Sequence, residues 1–127
     1  MSPTALYKNI PDKDYLDLFD GGHADYATVV RRLDFRKEDV ALATGAPMTS
    51  VRYDNKIPKE IKERITEWAI LLNLVAQHFN GDANKTILWF TLPNHLLGNI
   101  APRDMIRLGR YKKLLKFIIN ALSENNS

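Results

Sequence analysis

One long apolar stripe constrains the fold of this chain more than any other feature. After Pro58, apolar side chains recur at steps of three or four residues, which is the period of an amphipathic α-helix. The pattern continues for about five turns and ends at Asn80-Gly81, a pair that commonly terminates helices. It therefore predicts a long helix whose stripe, with Trp68 as a core residue or dimer contact, consists of Ile61, Ile65, Trp68, Leu72, Val75 and Phe79.

Two shorter helical patterns precede this stripe. The first begins at Tyr26, with Asp25 as its candidate N-cap, and the second covers Lys37 to Thr44 and stops at Gly45. Upstream of both, an apolar face of Tyr15, Leu18 and Phe19 predicts a short helix in an arm that ends at Gly21-Gly22.

Further helical patterns follow the stripe. They start at about Asn84, at Pro102 and after Gly109, and no segment alternates as a half-buried strand would. The predicted fold class is therefore all-α. We expect four segments: an N-terminal arm (1–22), a helix-turn-helix region (23–57), the long helix (58–81) and a C-terminal module (82–127).

The region before the long helix has the spacing of a helix-turn-helix. Ala41, Gly45 and Val51 stand at relative positions 0, +4 and +10, where the motif needs a small residue, a residue tolerant of positive φ and an apolar anchor. A helical hairpin without DNA affinity could have the same residues by chance. The motif predicts that a second helix, Pro47 to Tyr53, enters the major groove of DNA.

The candidate DNA contacts fall on and beside this second helix. Arg52 could read a guanine through two hydrogen bonds. The flanking basic residues Arg36, Lys37 and Lys56 suit contacts with phosphates, which position a protein without carrying sequence information. The full set is Arg36, Lys37, Pro47, Met48, Thr49, Ser50, Arg52, Tyr53 and Lys56.

The C-terminal module carries a denser pattern of residues that direct the backbone. Pro93 blocks helix continuation, Asn94 can hydrogen-bond the turn that follows, and Gly98 permits a second turn. Pro102 can open a helix, and Asp104 favours the positive end of that helix. Trp89 is expected to be a core anchor.

This pattern resembles the toxin-binding domain of Xre/MbcA/ParS-type antitoxins. The matching residues are Trp89, Pro93, Asn94, Leu96, Leu97, Gly98, Pro102, Asp104 and Gly109. With the helix-turn-helix, the resemblance covers roughly Asp25 to Leu122. The chain departs from the family at Asn99, where many relatives carry a second Gly, and at Ala101, which is a poor helix cap.

The resemblance implies a protein with two binding activities. Its partner would be a RES-type toxin that degrades NAD, the C-terminal part would cover the toxin's active site, and the helix-turn-helix would repress the operon encoding both. The alternatives for the implied toxin face are a solvated basic helix and a frayed terminus. That face comprises Arg107, Arg110, Tyr111, Lys112, Lys113, Lys116, Ser123, Glu124, Asn125 and Asn126.

Other function classes find little support in the sequence. The chain has no cysteine, and His23, His78 and His95 lack ligand spacing, so we expect no metal, cofactor or catalytic residue. No apolar run reaches the length of a membrane span, and a cytoplasmic location is expected. A homodimer would match operator symmetry. The alternative functions are a free-standing helix-turn-helix transcription regulator and a pure protein-interaction module without a toxin partner.

Overall fold

The structure is a computed structural model that describes residues 13–125 of the 127-residue chain. Within this range there are six α-helices and one short hairpin, so the predicted all-α class is confirmed. The helices are α1 (Tyr26–Arg32), α2 (Lys37–Thr44), α3 (Lys59–His78), α4 (Ala83–Thr91), α5 (Pro102–Arg107) and α6 (Tyr111–Asn125). Strands β1 (Phe19–Asp20) and β2 (His23–Ala24) pair antiparallel, and single 3-10 turns occupy Met48–Ser50 and His95–Leu97.

The helix ends follow the local chemistry of the sequence. The Asp25 carboxylate caps α1 by accepting a hydrogen bond from the Thr28 N–H at 3.2 Å. Gly45 ends α2 in the left-handed conformation, with φ at 75°. After α3, the N–H of Gly81 donates to the Ala76 carbonyl at 2.8 Å, a closure typical of helix C-termini. These three predicted boundaries are confirmed.

Helix α3 lies at the centre of the molecule. It contacts α1, α2, β2, α4 and α6, and every residue from Trp68 to Ala76 is buried. The Trp68 ring packs edge-on against Phe35, with 5.5 Å between the ring centroids. More of α3 is therefore buried than the predicted apolar stripe, because residues 68–76 are covered on all sides, as expected for a core helix.

The predicted short helix over Tyr15 to Phe19 is wrong. The Asp14 carboxylate accepts hydrogen bonds from the N–H groups of Leu18 and Phe19, both at 2.9 Å. Asp17, directly before Leu18, has φ at 57°. Side-chain bonding of this kind competes with helix formation, so the segment folds into a turn that leads into β1.

The described part of the predicted arm belongs to the core. Leu16 and Leu18 are 4% and 0% exposed. The buried side chain of Asn73 donates to the Lys13 carbonyl and accepts from the Tyr15 N–H, both at 3.0 Å. Residues 1–12 of the predicted arm lie outside the described residues. The division into four segments stays a prediction. Helix α3 packs against elements that precede it in the chain and against elements that follow it.

None of the helices in the described range combines the length and the apolar character that crossing a membrane requires.

Candidate partner-binding surfaces

The second helix of the expected helix-turn-helix does not form. The prediction of a helix over Pro47 to Tyr53 is wrong, because the backbone makes one 3-10 turn, Met48–Ser50, between two extended residues. Pro47 has ψ at 145° and Val51 has ψ at 111°. The element that would enter a major groove is therefore reduced to a single turn.

The packing residues of the motif nevertheless hold their expected places. Gly45 has a positive φ, Val51 is 3% exposed and Ala41 packs against the core. Beyond Val51, the Asp54 carboxylate accepts hydrogen bonds from Arg52 Nε at 2.7 Å and from the Lys56 N–H at 3.0 Å. These hydrogen bonds hold the chain in a turn directly after the end of the predicted helix.

Seven of the nine predicted DNA contacts lie on or next to this turn in the chain, whereas Arg36 and Lys37 lie at the start of α2, and Arg36 lines a cleft with Arg103 and Arg107. Ser50 and Tyr53 are partly buried and the other seven are exposed. Arg52, the expected base reader, pairs with Asp54. Their hydrogen bond raises the pKa of Arg52 and lowers the pKa of Asp54, so a guanine would have to compete with an existing carboxylate partner.

The pattern in the C-terminal module directs the backbone as predicted. The Asn94 side chain accepts a hydrogen bond from the Leu96 N–H at 3.0 Å, and the Asn94 N–H donates to the Ile100 carbonyl at 3.1 Å. Gly98 has φ at 75°, and Pro102 occupies the first turn of α5. These contacts form a closed loop over residues 94–100.

Two details of this pattern have a structural explanation. Asn99 has φ at 65°, and because Asn tolerates this conformation better than most residues, it can stand where many relatives carry Gly. The expectation that Trp89 anchors the core is only partly correct. Phe90 is fully buried, while Trp89 is partly buried and packs edge-on against it, 5.0 Å between centroids.

Three leucines on α4, at its C-terminal end and within this loop are exposed. Leu88, Leu92 and Leu96 are 54%, 50% and 68% exposed, and we refer to these three residues as the apolar strip. Leu88 and Leu92 are one helical turn apart, since the Leu92 N–H donates to the Leu88 carbonyl. Leu96 belongs to the family pattern, and its exposure was not predicted. The helical period could have revealed Leu88, because it falls opposite the buried face of Thr86 and Phe90.

A basic groove lies between the first half of α3 and the start of α6. It is an open depression of about 1050 Å³, and the end of α2 completes its rim. We refer to it as the basic groove. The ionisable residues that line it are Lys59, Lys62, Glu63, Arg64 and Glu67 from α3 and Arg110, Tyr111, Lys112 and Lys113 at the start of α6.

The two carboxylates of the groove already have partners. Glu63 lies 3.8 Å from Lys59 and 3.9 Å from Arg64, and Glu67 pairs with Arg64. Burial raises the pKa of Glu67, although its ion pair with Arg64 opposes the shift. In the described part of the chain, no carboxylate lies within ion-pair distance of three groove cations, namely Lys62, Arg110 and Lys113.

The structure brings part of the predicted toxin face together. Arg110, Tyr111, Lys112 and Lys113 all line the basic groove, although Tyr111 is 9% exposed. Arg107 lies apart, in a cleft where it pairs with Asp104 at 3.2 Å. Lys116, Ser123 and Glu124 are exposed on α6. The side chain of Asn125 and all of Asn126 lie outside the described residues.

The pairing within the Arg107 cleft connects distant parts of the chain. Arg103 on α5 lies 3.6 Å from the Asp34 carboxylate and donates to the Leu33 carbonyl at 3.3 Å. These contacts join α5 to the end of α1. The cationic and acidic residues that line the cleft are nearly equal in number. In residues 13–125, no cluster of three or more His, Asp or Glu side chains could hold a metal ion.

Comparison with known proteins gives one informative match. No protein-family model matches the chain, and no curated protein matches it significantly. Its structure is similar to a chain in the crystal structure of the M. tuberculosis MbcT-MbcA toxin-antitoxin complex, with a TM-score of 0.51 and 24% sequence identity. The match covers 80% of this chain and 92% of that chain. The resemblance expected from the C-terminal pattern is therefore confirmed at the level of the fold.

Proposed function

We propose that this chain is the antitoxin of a toxin-antitoxin system and that it neutralises a protein toxin through its C-terminal half. The observation that carries the proposal is the similarity in fold to a chain of a toxin-antitoxin complex. The pattern from Trp89 to Gly109, which resembles a toxin-binding domain, supports it independently because it was found in the sequence alone.

The toxin in this proposal is of the RES type and degrades NAD, as the family resemblance implies. The antitoxin acts by covering the toxin's active site and catalyses no reaction itself. Exposed apolar residues at the centre of a polar surface are typical of protein-binding sites. In this proposal the apolar strip supplies the centre of the interface, and the exposed charged residues of α6 supply further contacts.

Co-expression tests the proposal directly. The product of the adjoining reading frame should arrest growth and lower cellular NAD when expressed alone, and this chain should restore both. No rescue, or no complex on co-purification, would contradict the antitoxin role. Rescue of growth from a toxin that leaves NAD unchanged would keep the antitoxin and reject the RES type.

Substitution in the apolar strip locates the interface. Leu92→Asp and Leu96→Asp should each weaken the complex about tenfold or more, because a carboxylate would be buried against the partner. Leu42→Asp is the matched control, since Leu42 on α2 is 57% exposed. Equal loss in the control would show that the strip is not the interface.

Repression of its own operon is a separate part of the proposal. It would involve a homodimer on operator DNA, with Arg36, Lys37 and Lys56 on phosphates, since the single turn at Met48–Ser50 offers little to insert into a groove. A gel shift with the chain's own promoter is the test, with and without the toxin. If Arg52 reads a base, Arg52→Ala should weaken binding about tenfold and relax specificity.

The alternatives predict other outcomes of the same two experiments. A pure interaction module would show no gel shift and no toxic neighbour. A free-standing regulator would shift its promoter and still have no toxic neighbour.

A further inference from the structure

We propose that the basic groove between α3 and α6 receives an acidic peptide segment of the partner protein, with Lys62 and Lys113 on its opposite sides. That this partner is the toxin rests on the proposed function. The groove itself, with its charges and shape, does not depend on that assignment.

The charge of the groove is the first argument. Six of its lining residues are cations, namely Lys59, Lys62, Arg64, Arg110, Lys112 and Lys113, against the carboxylates of Glu63 and Glu67. Both carboxylates are held by Lys59 or Arg64, so the uncompensated charge comes from the remaining cations. Unmatched charge concentrated on one concave surface is complementary to an anionic partner.

The position of α6 adds to this charge. Its first turn contains Lys112 and Lys113 and no acidic residue. The N-terminus of a helix carries a partial positive charge, so cations there are unfavourable in the free protein. Carboxylates placed in the groove would interact favourably with both the lysines and this end of the helix.

The shape of the groove favours a peptide over nucleic acid. A sphere of its volume would be about 13 Å across, close to the 10–12 Å diameter of one α-helix with side chains. Duplex DNA is read by a protein element that protrudes into its groove, whereas this surface is concave. Single strands are usually held by exposed aromatic rings. Among the described lining residues, the aromatic one is Tyr111, which is 9% exposed.

Peptide binding by the full chain tests this proposal without the toxin. The probe is a fluorescein-labelled octaglutamate peptide, followed by fluorescence anisotropy at 50 and 300 mM salt. The test variant is Lys62→Glu/Lys113→Glu. The control is Lys13→Glu/Lys85→Glu, which makes the same change in net charge at two exposed lysines outside the groove. We expect saturable binding that weakens at least tenfold in the test variant and less than twofold in the control.

Several results would overturn the proposal. An equal loss of peptide affinity in both variants would mean that binding depends only on net charge. Absence of saturable peptide binding would exclude the acidic segment. Tighter binding of a 20-base-pair duplex or a 20-nucleotide single strand, lost in the test variant alone, would assign the groove to nucleic acid. The melting temperature of the test variant, expected to be at least that of the wild type, verifies folding.

Co-expression with the toxin separates the two proposals. If the wild-type chain rescues growth and Lys62→Glu/Lys113→Glu binds the toxin with unchanged affinity, the groove proposal fails and the antitoxin role stands. If the wild-type chain rescues nothing while octaglutamate binds in the groove, the antitoxin role fails and the groove keeps its acidic ligand.

Discussion

Two short connecting regions of this chain behave in opposite ways. The region between α2 and α3 was predicted to hold a helix and contains a single 3-10 turn at Met48–Ser50. The region between α4 and α5 was predicted in detail and folds as expected, with the Asn94 side chain capping the His95–Leu97 turn. Both regions contain proline and lie next to a buried anchor, so neither proline nor burial explains the difference.

The difference lies in what each residue does to the backbone. Asn94, Gly98 and Pro102 act on their own backbone or on that of their immediate neighbours, so their effect is local and readable from sequence. Gly45 acts on the backbone only at the end of α2, whereas Ala41 and Val51 meet packing requirements, and those requirements are satisfied equally by a helix and by a turn. A spacing of packing residues therefore predicts contact better than it predicts secondary structure.

The largest expected effect comes from comparing a buried side chain beside the C-terminal loop with an exposed one in the Met48–Ser50 turn. Phe90→Ala should lower the free energy of unfolding by about 3–5 kcal/mol, because it removes a fully buried ring beside the C-terminal loop. Met48→Ala, in the other region, should change it by less than about 0.5 kcal/mol, since Met48 is 48% exposed. Urea denaturation measures both. Similar losses would mean that Met48 packs against the core.

A smaller effect compares the local hydrogen bonds. Asn94→Ala should lower the free energy of unfolding by about 1 kcal/mol, because it removes the acceptor for the Leu96 N–H. Ser50→Ala is the matched change in the turn before α3, and we expect it to cost less. Thermal denaturation followed by circular dichroism measures the difference. A larger loss in Ser50→Ala would reverse the contrast between the two regions.

The smallest effect concerns the ion pair that ends the Met48–Ser50 region. Because the hydrogen bond from Arg52 lowers the pKa of Asp54 from 3.8, the pair stabilises the fold above that pH. The contribution is lost as the pH falls through the lowered value. Arg52→Ala should therefore melt slightly below the wild type at pH 7, and the gap should close below about pH 3.8. The pair is exposed, so 1 M salt should also close the gap. A difference in melting temperature that depends on neither pH nor salt would assign another role to Arg52.

Much of the fold could be predicted because its boundaries depend on nearby residues. The starts of α1 and α5 and the ends of α2 and α3 follow from single caps or breakers. The burial of α3 on all sides could not be predicted, since it depends on which elements pack against its polar positions. Asn73, for example, is polar and 2% exposed, and its partners lie about sixty residues earlier in the chain.

The candidate surfaces were half predictable for the same reason. The basic run at the start of α6 stands out in the sequence, whereas Lys59, Lys62 and Arg64 look like the solvated face of an amphipathic helix. Only the packing of α6 against α3 places the two sets of cations on one groove. The apolar strip was missed because Leu96 was considered as part of a motif and its exposure could not be read from the motif.

The buried carboxamide of Asn73 joins the start of the described chain to the central helix. Its nitrogen and oxygen are both engaged by the backbone at Lys13 and Tyr15, so α3 cannot shift along its axis without breaking both bonds. A chain shortened to start at the predicted boundary, residue 23, would lose these partners together with Leu16 and Leu18. It would leave the Asn73 amide without these partners and expose the apolar surface that Leu16 and Leu18 cover, and each of these losses is costly. Residues 13–22 therefore fix the register of the central helix, and we expect the smallest unit able to fold to include them.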